Sequence, residues 1–175
     1  VFAIIDGYVA AHFKFGDKIK ANAAQSIKEL KKNGIEKCIM LTGDNEKHAA
    51  EAADALSLDG YYSSLLPADK VEKLEEIQKN TNGQVMFVGD GINDSPVLIT
   101  ADVGIAMGME GSDAAVEAAD IVIMNDDLSC IAKAVKISKK TMGIVRENIV
   151  FAIGVKICTS TCQFVAPSIF ADSQI

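Results

Sequence analysis

The chain has 175 residues, enough for one well-cored domain and a tail. Hydrophobic residues make up 49% and charged residues 23%, the balance of an ordinary folded domain, which excludes wholesale disorder. Its net charge of -7, from 24 acidic against 17 basic residues, leaves no basic surface for a nucleic-acid backbone, so a DNA or RNA role is excluded as well.

The opening segment sets Phe2, Ile4 and Ile5 before Asp6-Gly7 and Tyr8, Val9, Phe13 and Phe15 after it, and so reads as a β-hairpin. From Ile19 to Lys32 the positions Ile19, Ala23, Ile27 and Leu30 recur at helical spacing, and Asn33-Gly34 ends the helix. A strand over Cys38–Leu41 follows. The alternation then repeats: a helix from Glu46 to Leu56, a strand from Gly60 to Ser63, a helix from Pro67 to Lys79 and a strand from Val85 to Val88. Further on come a helix from Ser95, a strand from Val103 to Ala106, a helix from Ser112, a strand from Ile121 to Met124 and a helix from Leu128. Strands alternating with helices imply right-handed crossovers and a parallel sheet covered on both faces, an α/β fold whose ligands gather at the carboxyl ends of the strands.

From Asn148 to Phe170 the chain turns apolar over about the length a bilayer needs. Lys156 near its middle, the cluster Thr159-Ser160-Thr161 and Pro167 are each costly in lipid. Membrane insertion and a last amphipathic core helix account for the pattern equally well. Cys38, Cys130, Cys158 and Cys162 form no CxxC pair; the first two lie in apolar runs and read as reduced core thiols. No basic region followed by an apolar core opens the chain, and Val1 is the expected mark of a sequence that begins mid-protein.

The chemistry concentrates at strand ends. Asp90 closes an apolar strand between Gly89 and Gly91, where the backbone can turn tightly and approach a ligand. Asp94 follows four residues on, ahead of Ser95-Pro96, a pair suited to opening a helix. Two carboxylates converging at one strand end supply the hard oxygens that Mg²⁺ requires; a helix-capping Asp is the bland alternative for either alone. Thr42-Gly43-Asp44 ends the strand at Leu41 and offers a hydroxyl and an amide to phosphoryl oxygens, or else merely caps the next helix. Lys70 lies in the first turn of its helix, where a cation opposes the helix dipole and calls for an anionic partner.

Thr42, Lys70, Asp90 and Asp94, in that order, resemble motifs two to four of the haloacid-dehalogenase superfamily. The longer strings MLTGDN (40–45), VGDGINDSP (88–96) and ADVGIAMG (101–108) resemble the phosphorylation domain of P-type cation-transporting ATPases. The resemblance runs from about Asp6 to Lys156. It implies a haloacid-dehalogenase-like Rossmannoid three-layer sandwich, with residues 1–145 as the cytoplasmic phosphorylation domain and 146–175 as a hydrophobic segment similar to the penultimate membrane helix. By motif, Asp90 and Asp94 would hold Mg²⁺, Asn93 would hydrogen-bond the phosphoryl group, Lys70 would neutralise developing charge, and Thr42 with the Gly43 amide would bind phosphoryl oxygens. Asp44 and Asp17, the latter in a hinge-like Asp-Lys-Ile-Lys string, would contact nucleotide.

No Asp-Lys-Thr-Gly-Thr string occurs, so the nucleophile and the nucleotide-binding domain are missing. The implied function is therefore that of a fragment of a heavy-metal pump, with ATP and a divalent cation as the partners of the parent membrane protein and the missing N-terminal part of that pump as another. The fragment alone is expected to be inactive. Asn148–Lys156 resembles the zinc/cadmium/lead branch, where a lysine neighbours a metal-binding aspartate; Phe170-Ala171-Asp172 is similar to the string holding that acid, although the interval from Lys156 is short for the family. The rival reading, a soluble phosphatase of the same superfamily, needs Asp6 as nucleophile. Two residues beyond Asp6 stands Tyr8 rather than an acid, and the hairpin accounts for Asp6-Gly7, so Asp6 is rejected.

Overall fold

The computed structural model describes residues 2–5, 8–12, 18–90, 94–108, 113–125 and 127–171. Strands β1 (Phe2–Ile5) and β2 (Tyr8–His12) pair antiparallel, with an irregularity between Ala3 and Ile4, as the hairpin pattern requires. The helix expected from Ile19 begins later: α1 spans Ala23–Lys32, because Asn22 stands at its N-cap and the Ala23 amide closes a turn onto the Lys20 carbonyl. It buries Ala23, Ser26 and Leu30. The expected apolar stripe did not include Ser26, which is 1% exposed, while Ile27 is half-buried.

Strand β3 (Ile39–Leu41), helix α2 (Glu46–Leu56), strand β4 (Gly60–Tyr62) and helix α3 (Pro67–Lys79) follow, and β3 pairs parallel with β4. Cys38 lies just before β3 and, like Cys130, is half-buried rather than a core thiol. Beyond α3 come β5 (Met86–Gly89), α4 (Ser95–Thr100), β6 (Val103–Met107), α5 (Asp113–Ala118) and β7 (Ile121–Ile123). These strands form a second parallel ladder in the order β5-β6-β7. The α/β alternation and parallel pairing expected from the sequence are thus present. Among the described residues, however, β3 and β5 each pair on one side only.

That pairing decides where the core sits. The middle strand β6 is buried at Gly104, Ile105, Ala106 and Met107, whereas every residue of β5 is only half-buried and Ile39 of β3 is 37% exposed. Leu98 from α4 and Ala106 from β6 form the buried centre, with Phe87, Ala118, Ala119 and Val122 packed around them. The close approach of α4 explains Gly104: a Cβ there would lie 2.5 Å from the Leu98 carbonyl oxygen.

The chain divides into two compact units, residues 1–131 and 132–175. The second is made of helix α6 (Ser129–Ala171). Its described apolar residues are largely exposed, among them Ile149, Val150, Phe151 and Ile153. Among the described residues no helix is long and apolar enough to cross a membrane.

Candidate phosphoryl-transfer site

The site is built at the carboxyl ends of β3 and β5 and the amino end of α3. At the first of these, Leu41 hands the chain to Thr42, whose amide donates to the Tyr62 carbonyl at 3.0 Å and so continues the β3–β4 ladder by one residue. The Thr42 hydroxyl donates to Asp44 Oδ2 at 3.0 Å and accepts the Asp44 amide at 3.1 Å. These residues are not the cap of α2, which was the bland alternative. Asn45 is that cap, its side-chain oxygen accepting the His48 amide at 3.0 Å. Thr42, Gly43 and Asp44 therefore form a loop of their own, half-buried at Thr42 and exposed at the other two.

Helix α3 opens with Pro67 and is held by Asp69, whose Oδ2 accepts the Leu66 amide at 2.9 Å. One residue later stands Lys70, and the anionic partner that its place in the first turn demands is Asp94. Lys70 Nζ lies 2.7 Å from Asp94 Oδ1, with side-chain exposures of 16% and 12%. Asp94 occupies the N-cap position of α4 but makes no capping bond with its side chain. The carboxylate is turned to the lysine instead, so the capping explanation fails for it. Its other oxygen lies beside the backbone of β5: a Cβ on Gly89 would sit 3.0 Å from Asp94 Oδ2. A side chain there would crowd that carboxylate and the Phe87 ring, which is also 3.0 Å away.

Asp90, the first residue after β5, is exposed. An exposed carboxylate at that strand end, with Asp94 giving one oxygen to Lys70, is the donor chemistry that suits a Mg²⁺ ion taking few protein oxygens and completing its shell with water and phosphate. It does not form a closed protein cage, and among the described residues no group of three or more His, Cys, Asp or Glu could hold a metal.

The structure thus brings Lys70 to Asp94 and Thr42 to Asp44, and joins the two pairs through the Ser63–Leu66 segment that leads from β4 into α3. The Leu65 amide donates to the Thr42 carbonyl at 3.0 Å, and the Ser64 amide to the Asp44 carbonyl at 2.7 Å. Asp6, Asp17, Asn93 and Asp172 lie outside the described residues. Lys156 is exposed on α6, in the second unit. Sequence reasoning overlooked Glu46. Its Oε1 accepts the Tyr61 hydroxyl at 2.7 Å and its Oε2 accepts the Ser63 hydroxyl. These donors, Ser63 first, hold the Glu46 carboxyl below its ordinary value, and the bond to Glu46 holds the Tyr61 phenol above its own. A glutamate opening a helix signalled only a favourable dipole contact.

The family model for haloacid dehalogenase-like hydrolases matches residues 1–102. The chain is 46% identical over 157 residues to the zinc-transporting ATPase of Synechocystis sp., covering 89% of this chain and 22% of that one. It is 47% identical over 158 residues to the cadmium, zinc and cobalt-transporting ATPase of Bacillus subtilis, with the same coverage of 89% and 22%. Among solved structures, a zinc-transporting PIB-type ATPase in its E2.Pi state superposes with a TM-score of 0.79 at 35% identity, covering 86% of this chain and 24% of that one. The chain therefore spans about a fifth of the length of the curated relatives it matches.

Proposed function

From the premise that this chain belongs to the haloacid dehalogenase-like hydrolase family, we propose that it is the Mg²⁺- and phosphate-binding part of an ATP-driven heavy-metal pump of the zinc, cadmium and lead type. The observation that carries the reading is the Lys70–Asp94 pair, a cation at the head of one helix aimed at a carboxylate that declines to cap the next. Such a lysine is poised to meet a phosphoryl group's charge, because its own partner already lies at the strand end where Asp90 stands.

In this reading the attacking carboxylate belongs to a segment outside these 175 residues, consistent with the absence of an Asp-Lys-Thr-Gly-Thr string. Mg²⁺, when bound, screens the phosphoryl oxygens; Asp90 and Asp94 would hold it. Lys70 neutralises charge that grows during transfer. Thr42 turns its hydroxyl from Asp44 to a phosphoryl oxygen, and the exposed Gly43 amide takes another, while Asn93 adds a hydrogen bond. Asp44 and Asp17 contact the nucleotide when the rest of the catalytic apparatus closes over this edge. Residues 1–145 act as the cytoplasmic phosphorylation domain, and 146–175 as a hydrophobic segment resembling the penultimate membrane helix of such pumps. Lys156 and Asp172 would stand near the transported ion, and the 46% and 47% identities to zinc- and cadmium-transporting ATPases support that branch.

Replacing Asp90 tests the assignment. Asp90→Asn should weaken Mg²⁺ binding at least tenfold, roughly the effect of removing one charged ligand or its outer-shell support, with an unchanged circular dichroism spectrum, since the side chain is exposed. Equal Mg²⁺ affinity of the two proteins by calorimetry would refute the metal site.

A further inference from the structure

We propose that Glu46 is a positioning residue of the phosphoryl site, fixing the turn at Ser63–Leu65 against the loop that carries Thr42. The inference rests on the phosphoryl-site reading above. Glu46 is the first residue of α2, and both of its oxygens are engaged, one by the Tyr61 hydroxyl at 2.7 Å and the other by the Ser63 hydroxyl. It thereby ties the start of one helix to strand β4 at Tyr61 and to the residue just beyond its end, Ser63. Ser64, next in the chain, has φ 55, in the left-handed region that a serine seldom enters. A residue in such a conformation stays there only when its surroundings over-determine it.

Three contacts do so here. Ser63 is anchored to Glu46, the Ser64 amide to the Asp44 carbonyl, and the Leu65 amide to the Thr42 carbonyl. The Leu65 carbonyl then comes close enough to Gly43 that an added Cβ would meet it at 3.3 Å. Two backbone bonds and one side-chain staple therefore set the curvature of the loop that would receive phosphate. With both oxygens taken by hydroxyl donors, the Glu46 carboxylate serves as a fixed acceptor that braces the turn.

The test uses the 175-residue chain, isotope-labelled for NMR, with inorganic phosphate and Mg²⁺ as probes. In Glu46→Ala the amides of Ser64 and Leu65 should exchange with solvent roughly threefold to tenfold faster, the range expected for losing the support of one or two hydrogen bonds. The Ile105 amide, in the core, should not change. Phosphate-induced shifts at Thr42 and Gly43 should need several-fold more phosphate in Glu46→Ala, with Glu46→Gln, which keeps one acceptor oxygen, falling between. Unchanged exchange at Ser64 and Leu65 would overturn the proposal. Faster exchange with identical phosphate response would also overturn it, leaving Glu46 a local brace alone. If the wild-type chain gives no phosphate response, the reading of the whole site falls and the positioning role falls with it.

Discussion

The pair formed by Lys70 and Asp94 shows what a single side chain decides in this protein. Both groups are largely withdrawn from water, so removing the lysine strands a carboxylate that has lost its cation. Lys70→Met should cost about 1–3 kcal/mol of stability in urea melts, the desolvation cost of an unsatisfied polar group. Lys70→Met combined with Asp94→Asn should cost less than Lys70→Met alone, because no uncompensated charge remains; a larger loss in the double variant would contradict this account. The lysine was legible in the sequence, since its place in a first helical turn announces an anionic partner. Which carboxylate would answer was not legible from spacing, because Asp94 reads equally well as a helix cap until its geometry is seen. Glu46 escaped notice for a related reason. Its partners, Tyr61 on β4 and Ser63 just after it, are brought alongside only by the tertiary fold.

At the level of elements, the alternation of strands and helices was plain from periodicity, and the structure reproduces the expected bounds of α2, which stops at Ser57, and of α3, which stops at Asn80. Where they diverge, a local bond wins over pattern. Ile19 fits the helical stripe of α1, yet the helix starts only at Ala23, after the turn closed on Lys20, and Ile19 stays 40% exposed. Glycine in the middle of β6 looks like a weakness by propensity. Its reason is the neighbouring helix: Gly104→Ala would push a methyl group to 2.5 Å from the Leu98 carbonyl oxygen, and backbone cannot swing aside as a side chain can. That substitution should cost about 1–3 kcal/mol, as overpacking does, with a loss of thermal stability that Leu98→Ala would not relieve. A melting temperature equal to wild type would mean that α4 shifts freely.

For the molecule as a whole, the parallel α/β architecture followed from the order of elements, while the division into units did not, since nothing in the sequence marks residue 131. The tail repeated the ambiguity of its composition. Its helix exposes Ile149 at 54%, Val150 at 65% and Phe151 at 73%, apolar surface that water disfavours. A chain ending at Val145 should therefore sediment as a monomer where the 175-residue chain associates, with phosphate-induced shifts at Thr42 retained. Undiminished association after removal of 146–175 would place the adhesive surface elsewhere, on the exposed Ile4, Ile5, Tyr8 and Val9 of the hairpin.

The one-sided pairing of β3 and β5 has a bearing on how this polypeptide acquires its shape. Among the described residues, every strand finds a partner in a strand next to it along the chain: β1 with β2, β3 with β4, β5 with β6, β6 with β7. Each parallel pairing closes a span of a single crossover, so contact order is low and the entropy of loop closure is small for a parallel sheet. The two ladders are thus each closed within one stretch of chain, residues 39–62 and 86–123, and the bond from Lys70 to Asp94 ties the helix that follows the first to the start of the helix that follows β5.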